Sequence, residues 1–174
     1  TRRDWSSDVC SSDLDSVEID MPALGRRKAG SRNAVETRMY QLYDRDEIKL
    51  SPRQIRDARR AYYAMISYCD DLLGRLLNAL EIAGIAEDTL VIATSDHGDM
   101  LGSQGLEFKG VPYEESARVP LVIRWPGGGI RRGAVDDLLI SNADLMPSLL
   151  SLCGGEIPPE VQGRNLAEAM QTGE

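Results

Sequence analysis

The chain is short of the residues on which many functional classes depend. It has one histidine, His97, so no multi-histidine metal site can be assembled from it. It has three cysteines, Cys10, Cys69 and Cys153, and no Cys-x-x-Cys pair. An odd, sparse set excludes a disulfide framework and a zinc knuckle. Aromatic residues make up 5%, too few for the stacking platforms that bind single-stranded nucleic acid. Apolar runs are only a few residues long, whereas a membrane-spanning helix needs about 20. Basic residues are outnumbered, 20 against 28 acids, for a formal charge of −8. Nucleic-acid binders usually carry a strongly basic face, so no nucleic-acid partner and no membrane span are expected. What is present is ordinary globular composition, 42% hydrophobic and 28% charged over 174 residues. That is enough for one domain with a sizeable core.

Residues 1–14 are unlike the rest. Ser6-Ser7-Asp8-Val9 recurs almost unchanged as Ser11-Ser12-Asp13-Leu14. The segment has no amphipathic period and no signal-peptide core. It reads as translated adapter sequence or a disordered terminus, and it is given no function. No Met stands at position 1, so the chain reads as truncated at its start. Residues 15–50 read as a loop-rich segment with a short helix near Val35–Tyr43. Its basic cluster at Gly25–Lys28 with Arg32, and its acidic cluster at Asp44, Asp46 and Glu47, are too common to carry a function.

Residues 51–174 hold the organised part. Ser51 suits an N-cap and Pro52 the first helical position. Apolar residues then recur at threes and fours from Ile55 through Cys69 to Leu80, and Gly84 suits a left-handed C-cap. This spacing predicts a long amphipathic helix over Pro52–Ala83, with Cys69 on its buried stripe. Leu90-Val91-Ile92-Ala93-Thr94 reads as a buried parallel strand. Val119–Trp125 reads as a second strand, Val135–Ile140 as a third, Asp144–Leu152 as a helix and Leu166–Met170 as a helical turn. The order indicates an α/β fold.

The first strand runs into Ser95-Asp96-His97-Gly98-Asp99. Ligands of open α/β sheets bind just beyond the carboxyl ends of strands. Asp96 offers anionic oxygen to a hard cation and His97 a ring nitrogen. Gly98 permits a sharp turn and leaves room for a ligand. Lys109 lies in the glycine-rich loop that follows, where a cation meets an anionic ligand. Together these suit metal-assisted transfer of an anionic group. The same residues are compatible with a capped turn closed by an Asp–His hydrogen bond. Asp99 reads as solvated or structural rather than as a ligand.

The blocks Thr94–Gly102, Lys109-Gly110, Tyr113–Ile123 and Trp125-Pro126-Gly127, in this order and spacing, resemble the type I, formylglycine-dependent sulfatases of the alkaline phosphatase superfamily. The resemblance includes Tyr62–Ile66 with Asp70-Asp71, Asp144–Leu150 and Gly163, and covers about residues 50–170. It implies a partial alkaline-phosphatase-like sandwich, a mostly parallel sheet flanked by helices, lacking its N-terminal strands. It implies that Asp96 and His97 are ligands of one divalent cation, usually calcium, with magnesium or manganese compatible. It implies that Lys109 contacts the sulfate group. Glu114, Glu115 and Arg118 are read as ion pairs or hydrogen bonds that fix the loop beneath the site.

The departures are specific. The family nucleophile is a Cys or Ser in Cys/Ser-x-Pro-x-Arg, matured to formylglycine. Cys10 is followed by Ser-Ser-Asp, Cys69 by Asp-Asp-Leu and Cys153 by Gly-Gly-Glu, so no catalytic nucleophile is assigned in this chain. The paired N-terminal aspartates of the family metal site also lack a counterpart, and Gln104 stands where many relatives carry His. The chain is read as the C-terminal part of a sulfatase catalytic domain, inactive alone, with formylglycine in the missing half. The substrate would be a sulfated carbohydrate or small sulfate ester. The alternatives are part of a phosphodiesterase or phosphonate monoester hydrolase of the same superfamily, or a non-catalytic α/β module. Many bacterial relatives are exported, which favours a periplasmic or secreted location.

Overall fold

The computed structural model describes Leu14, residues 16–22, Gly30, residues 32–42 and residues 50–173. Thr1–Asp13 and the charge clusters at 25–28 and 44–47 lie outside the described residues. The elements are α1 (Ala34–Leu42), α2 (Pro52–Ile82), β1 (Val91–Thr94), a 3-10 turn (Ser103–Gly105), α3 (Glu114–Ala117), β2 (Leu121–Arg124), α4 (Asn142–Leu152) and α5 (Ala167–Thr172). They belong to two compact units. One takes the chain up to Leu76 with His97–Val119, and the other takes Leu77–Asp96 with Pro120 onward. No helix among the described residues is long and apolar enough to cross a membrane.

The helix ends follow the local chemistry. Ser51 Oγ accepts from the Gln54 amide at 3.3 Å, and Gln54 Oε1 accepts from the Ser51 amide at 2.9 Å. This reciprocal pair satisfies two amide donors at the start of α2. At the other end Gly84 takes φ 69°. Its amide donates to Glu81 O at 3.0 Å and the Ile85 amide donates to Leu80 O at 3.1 Å, the left-handed closure that a Cβ would strain. Asn33 and Glu36 form the same reciprocal cap at α1, at 2.8 Å in each direction.

Three expectations need correction. The described strands do not form a parallel sheet: β1 and β2 pair antiparallel, Val91 opposite Arg124 and Thr94 opposite Leu121. A parallel neighbour needs a crossover that returns the chain to its starting end, usually a helix. Between β1 and β2 there is only a loop with one 3-10 turn and the four-residue α3, so the next strand runs back. Val135–Ile140 is not a strand. Asp136 accepts from Arg131 at 2.7 Å and from the Leu138 amide at 3.0 Å, which commits that amide to a local turn rather than a ladder. Val135 and Leu139 are left 94% and 86% exposed. Finally, Cys69 is exposed rather than core. Along α2, Ile55, Arg59 and Ala64 are buried, whereas Met65, Ile66, Leu76 and Ile82 are each more than half exposed. The apolar stripe is real, but it is fully buried only in its N-terminal part, and Leu73, Leu77 and Leu80 are half-buried.

The first unit has an apolar centre of Tyr40, Met100, Leu106 and Val111, with Met39 and Tyr113 against it. The second is tied by polar groups. The buried Asp144 carboxylate accepts from Arg164 Nη2 at 2.8 Å, the Arg164 amide at 2.7 Å and the Ser141 amide at 3.0 Å. Ser148 Oγ donates to Asp144 O at 2.6 Å and accepts from the Leu166 amide at 2.9 Å. Gly163 makes the approach possible, because a Cβ there would lie 2.2 Å from Ala143 O. These bonds join α4 to the turn preceding α5.

The Arg164 guanidinium first, then the Arg164 and Ser141 amides, hold the Asp144 carboxyl well below the usual carboxylate range. A depressed folded value means that the unfolded state binds the proton more readily. The stabilisation is therefore present above the unfolded value of about 3.9 and is lost as pH falls through the folded one. Asp144→Asn should lower the unfolding midpoint at pH 7 and should lose less of what remains between pH 4 and pH 2 than the unaltered chain, as followed by circular dichroism. Equal acid sensitivity of both would show that Asp144 does not carry this term.

Candidate active site

The loop from His97 to Arg118 carries the chemistry, and its shape depends on close backbone approaches. The Gly98 amide donates to Ser116 O at 2.8 Å. A Cβ on Gly98 would lie 2.1 Å from Glu115 O, far inside van der Waals contact, so only glycine fits. The Gly110 amide donates to Ser116 Oγ at 3.1 Å. Buried Ser116 thus holds both ends of the segment that bears His97 and Lys109. Between them, the Met100 amide donates to Phe108 O at 2.7 Å and the Gly102 amide to Leu106 O at 2.9 Å. Met100 is completely buried. Leu101, Gln104 and Phe108 adopt φ of 41°, 57° and 64°, a concentration of positive φ in non-glycine residues that surrounding packing must enforce.

Arg59 of α2 supplies part of that enforcement. It is 8% exposed. It donates to Leu101 O at 3.3 Å, to Asp20 at 2.8 Å and to Tyr63 Oη at 3.1 Å. Tyr63 Oη donates to the other Asp20 oxygen at 2.8 Å. Arg59 and then Tyr63 hold the Asp20 carboxyl below its ordinary value. Burial, reinforced by Asp20, pushes the Tyr63 phenol up.

Within the loop, His97 Nδ1 lies 2.8 Å from Gly98 O. A carbonyl only accepts, so Nδ1 carries the hydrogen and Nε2 presents its lone pair. Lys109 Nζ lies against that Nε2. His97 and Lys109 thus lie together within the first unit. The Asp99 carboxylate accepts from the Leu101 amide at 2.9 Å, which fixes the turn. Glu114 and Arg118 pair at 3.8 Å in full exposure, an interaction of about 0–1 kcal/mol. The fastening role expected of them belongs to Ser116.

Asp96 ends the β1 segment of the second unit. Asn142, in the first turn of α4, donates through Nδ2 to Ser95 O at 3.2 Å and to Asp96 O at 3.4 Å. The backbone that presents the Asp96 carboxylate is thus fixed from α4. A metal-binding imidazole commonly donates its other ring N–H to a carbonyl, and His97 has that arrangement. Among the described residues no group of three or more His, Cys, Asp or Glu is assembled as a metal cage. Asp96 and His97 are suitable donors but do not by themselves fill a coordination sphere.

Sequence reasoning missed Ser116, Arg59 and Asn142. Ser116 lies inside a block whose charged members drew the eye. Arg59 had a usable signal, a cation on the apolar stripe between Ile55 and Tyr62.

A Sulfatase family model matches residues 12–155. The chain belongs to the sulfatase family. It is 45% identical over 111 residues to the endo-4-O-sulfatase of Bacteroides thetaiotaomicron, covering 62% of this chain and 22% of that protein. Its fold matches BT4656, solved with its substrate D-glucosamine-2-N,6-O-disulfate, at a TM-score of 0.66 and 32% identity, over 78% of this chain and 28% of that one. It matches the phosphonate monoester hydrolase of Agrobacterium radiobacter at a TM-score of 0.66 and 36% identity, over 71% and 25% of the two chains. The sulfatase chain therefore spans about a quarter of the length of these relatives.

Ser116→Ala removes the acceptor of the Gly110 amide and leaves the Gly98 bond to the backbone of residue 116 intact. A hydrogen bond is worth about 1 kcal/mol net, so amide exchange at Gly110 should accelerate about five-fold while Gly98 changes little. Equal acceleration at both positions would show that Ser116 acts through global stability alone.

Proposed function

We propose that this chain contributes the metal-binding and sulfate-contacting side of a sulfate ester hydrolase acting on sulfated carbohydrates or small sulfate esters. The observation that carries the proposal is the His97–Lys109 pairing on one pinned loop, in a chain of the sulfatase family. Asp96 and His97 are proposed as two ligands of a divalent cation, calcium first. Such a cation would offset negative charge on the sulfate oxygens. Lys109 is proposed to hold the anionic group and to stabilise the charge that develops on the leaving oxygen. Gly98 and Ser116 keep the loop in register for this contact. Formylglycine is assigned to no residue here, because no cysteine of this sequence has the nucleophile motif. The carbohydrate substrate class is drawn from the names of the endo-4-O-sulfatase and of the disulfated glucosamine complex.

A second reading is hydrolysis of phosphonate monoesters or phosphate diesters. The similarity to the Agrobacterium hydrolase supports it. A chimera separates the two. The stretch of the Bacteroides endo-4-O-sulfatase homologous to this chain is replaced by residues 50–170, and sulfate release from a 4-O-sulfated oligosaccharide is measured beside hydrolysis of a phenylphosphonate monoester. Sulfate release is expected to dominate, and Lys109→Ala should lower kcat/KM by about 100-fold or more, the usual cost of losing such a donor. A folded chimera that cleaves only the phosphonate ester would transfer the assignment to the second reading.

The metal assignment has its own test, because one histidine gives one set of imidazole signals. Calcium added to the 174-residue chain should shift the 15N resonance of His97 Nε2 more than that of Nδ1, saturably, and Asp96→Ala should weaken that response at least ten-fold. An unchanged imidazole at millimolar calcium would remove His97 from the ligand set.

A further inference from the structure

A second concave feature lies in the other unit, at the opposite end of β1 from Asp96. Thr94 pairs with Leu121 and Val91 with Arg124, so a three-residue strand rise of about 10 Å separates the two ends. Beyond Arg124 the chain folds around a cavity of about 400 Å³ lined by Glu87, Arg124, Trp125, Arg131 and Arg132 among others. Its frame is rigid. The Gly127 amide donates to Glu87 O at 2.9 Å. A Cβ on Gly128 would fall 1.8 Å from the Trp125 ring, so the indole lies directly on the glycine backbone and is held there.

The charge of the lining is unusual for this chain. Three guanidiniums face one carboxylate among the lining residues, in a sequence of net charge −8. Their protein partners use only part of their capacity. Arg124 Nη2 meets Glu81 at 2.8 Å, Arg131 Nη2 meets Asp136 at 2.7 Å, and Arg132 Nη2 donates to Pro126 O at 3.3 Å. Each guanidinium has five N–H donors. Arg124 Nη1 and Arg131 Nε are shielded from solvent without any acceptor. Those two nitrogens are closed to a ligand as they are to water, whereas Arg132 is exposed and offers its remaining N–H groups to a ligand that brings anionic oxygens.

We propose that this cavity binds a sugar unit bearing sulfate or carboxylate, as a binding site separate from the strand-end loop. Planar guanidinium forks match the geometry of both anions bidentately. The volume suits a small-molecule site and exceeds what a bare inorganic anion would fill. The fixed indole beside it gives a sugar ring an apolar surface. This site needs neither metal nor nucleophile, so its test is independent of the hydrolytic assignment.

The test is calorimetric titration of the 174-residue chain, in EDTA, with a sulfated heparin disaccharide and with its unsulfated counterpart. EDTA keeps divalent metals from contributing at Asp96 and His97. Saturable binding of the sulfated disaccharide is expected, at least ten-fold tighter than the unsulfated one. Arg132→Gln should weaken it at least ten-fold with an unchanged circular dichroism spectrum. Arg132 is the preferred position because Arg131 also ties Asp136, so that Arg131→Gln can disturb the fold. Absence of saturable binding, equal binding of both disaccharides, or unaltered affinity in Arg132→Gln would each overturn the proposal. So would loss of binding in Lys109→Ala with retention in Arg132→Gln, which would put the sugar at the strand-end loop.

Discussion

The candidate active site depends on one contact that a single methyl group would prevent. Gly98 lies so close to Glu115 O that no side chain fits between them. That approach lets the Gly98 amide reach Ser116 O, and it brings the start of the loop beside the short helix α3. From there the remaining geometry follows. Ser116 also takes the Gly110 amide, so the two ends of a thirteen-residue excursion share one anchor. His97 and Lys109 stand one residue outside or inside those anchors, and their meeting follows from the backbone rather than from attraction between two side chains. Three non-glycine residues with positive φ lie within the excursion. Strain of that kind is retained where surrounding packing over-determines the backbone, and here the buried Met100 and the Arg59–Leu101 bond supply it.

Arginine does two different jobs in the molecule. Arg59 and Arg164 are fasteners. Each bonds a carboxylate and a backbone carbonyl at once, Asp20 with Leu101 O and Asp144 with Leu139 O. A rigid fork with several donors can join two chain segments in a way a lysine cannot. Arg124, Arg131 and Arg132 also have partners, but their N–H inventory is not exhausted, and they surround open volume. Arg124 and Arg131 also fasten, to Glu81 and to Asp136 with Ala169 O, so Arg132 is the one of the three left most open to recognition.

The sequence made some of this legible because local rules acted alone. The α2 boundaries followed from Ser51, Pro52 and Gly84, whose effects are confined to one turn of backbone. The strand-end position of Asp96 followed from the β-branched run before it. Sheet direction was not legible. Leu90–Thr94 looks the same whether its neighbour runs parallel or antiparallel, and the deciding fact is the absence of a crossover helix between the strands. Burial of Cys69 was misjudged for a related reason. Periodicity identifies a face but not what covers it, and beyond Ala64 the described side chains of α2 are at most half-buried. Val135–Ile140 failed as a strand because Asp136 captured the Leu138 amide, a side-chain competition that β propensity does not register. Ser116 was the least legible of all. A serine among glutamates carries no signal of its own, and its importance comes from two amides that arrive from residues 98 and 110.

The distribution of positioning groups bears on what this stretch of a sulfatase contributes to chemistry. Asp96 has its backbone set by Asn142 on α4, and His97 has its ring set by Gly98 O, each within its own unit. Neither arrangement involves a nucleophile, and no cysteine of the sequence stands in the nucleophile motif. Cys69 and Cys153 are exposed and lie away from the pinned loop in sequence. Within the first unit the fixed features are an imidazole whose Nδ1 is held by Gly98 O and an ammonium against its Nε2. In the role proposed above, these groups bind and neutralise charge. Bond making requires a group that attacks, and electrostatic stabilisation works best when the stabilising groups do not have to reorganise as charge develops. In the same proposed role, a loop closed by a glycine that leaves no room for a side chain and tied at both ends to one serine meets that requirement.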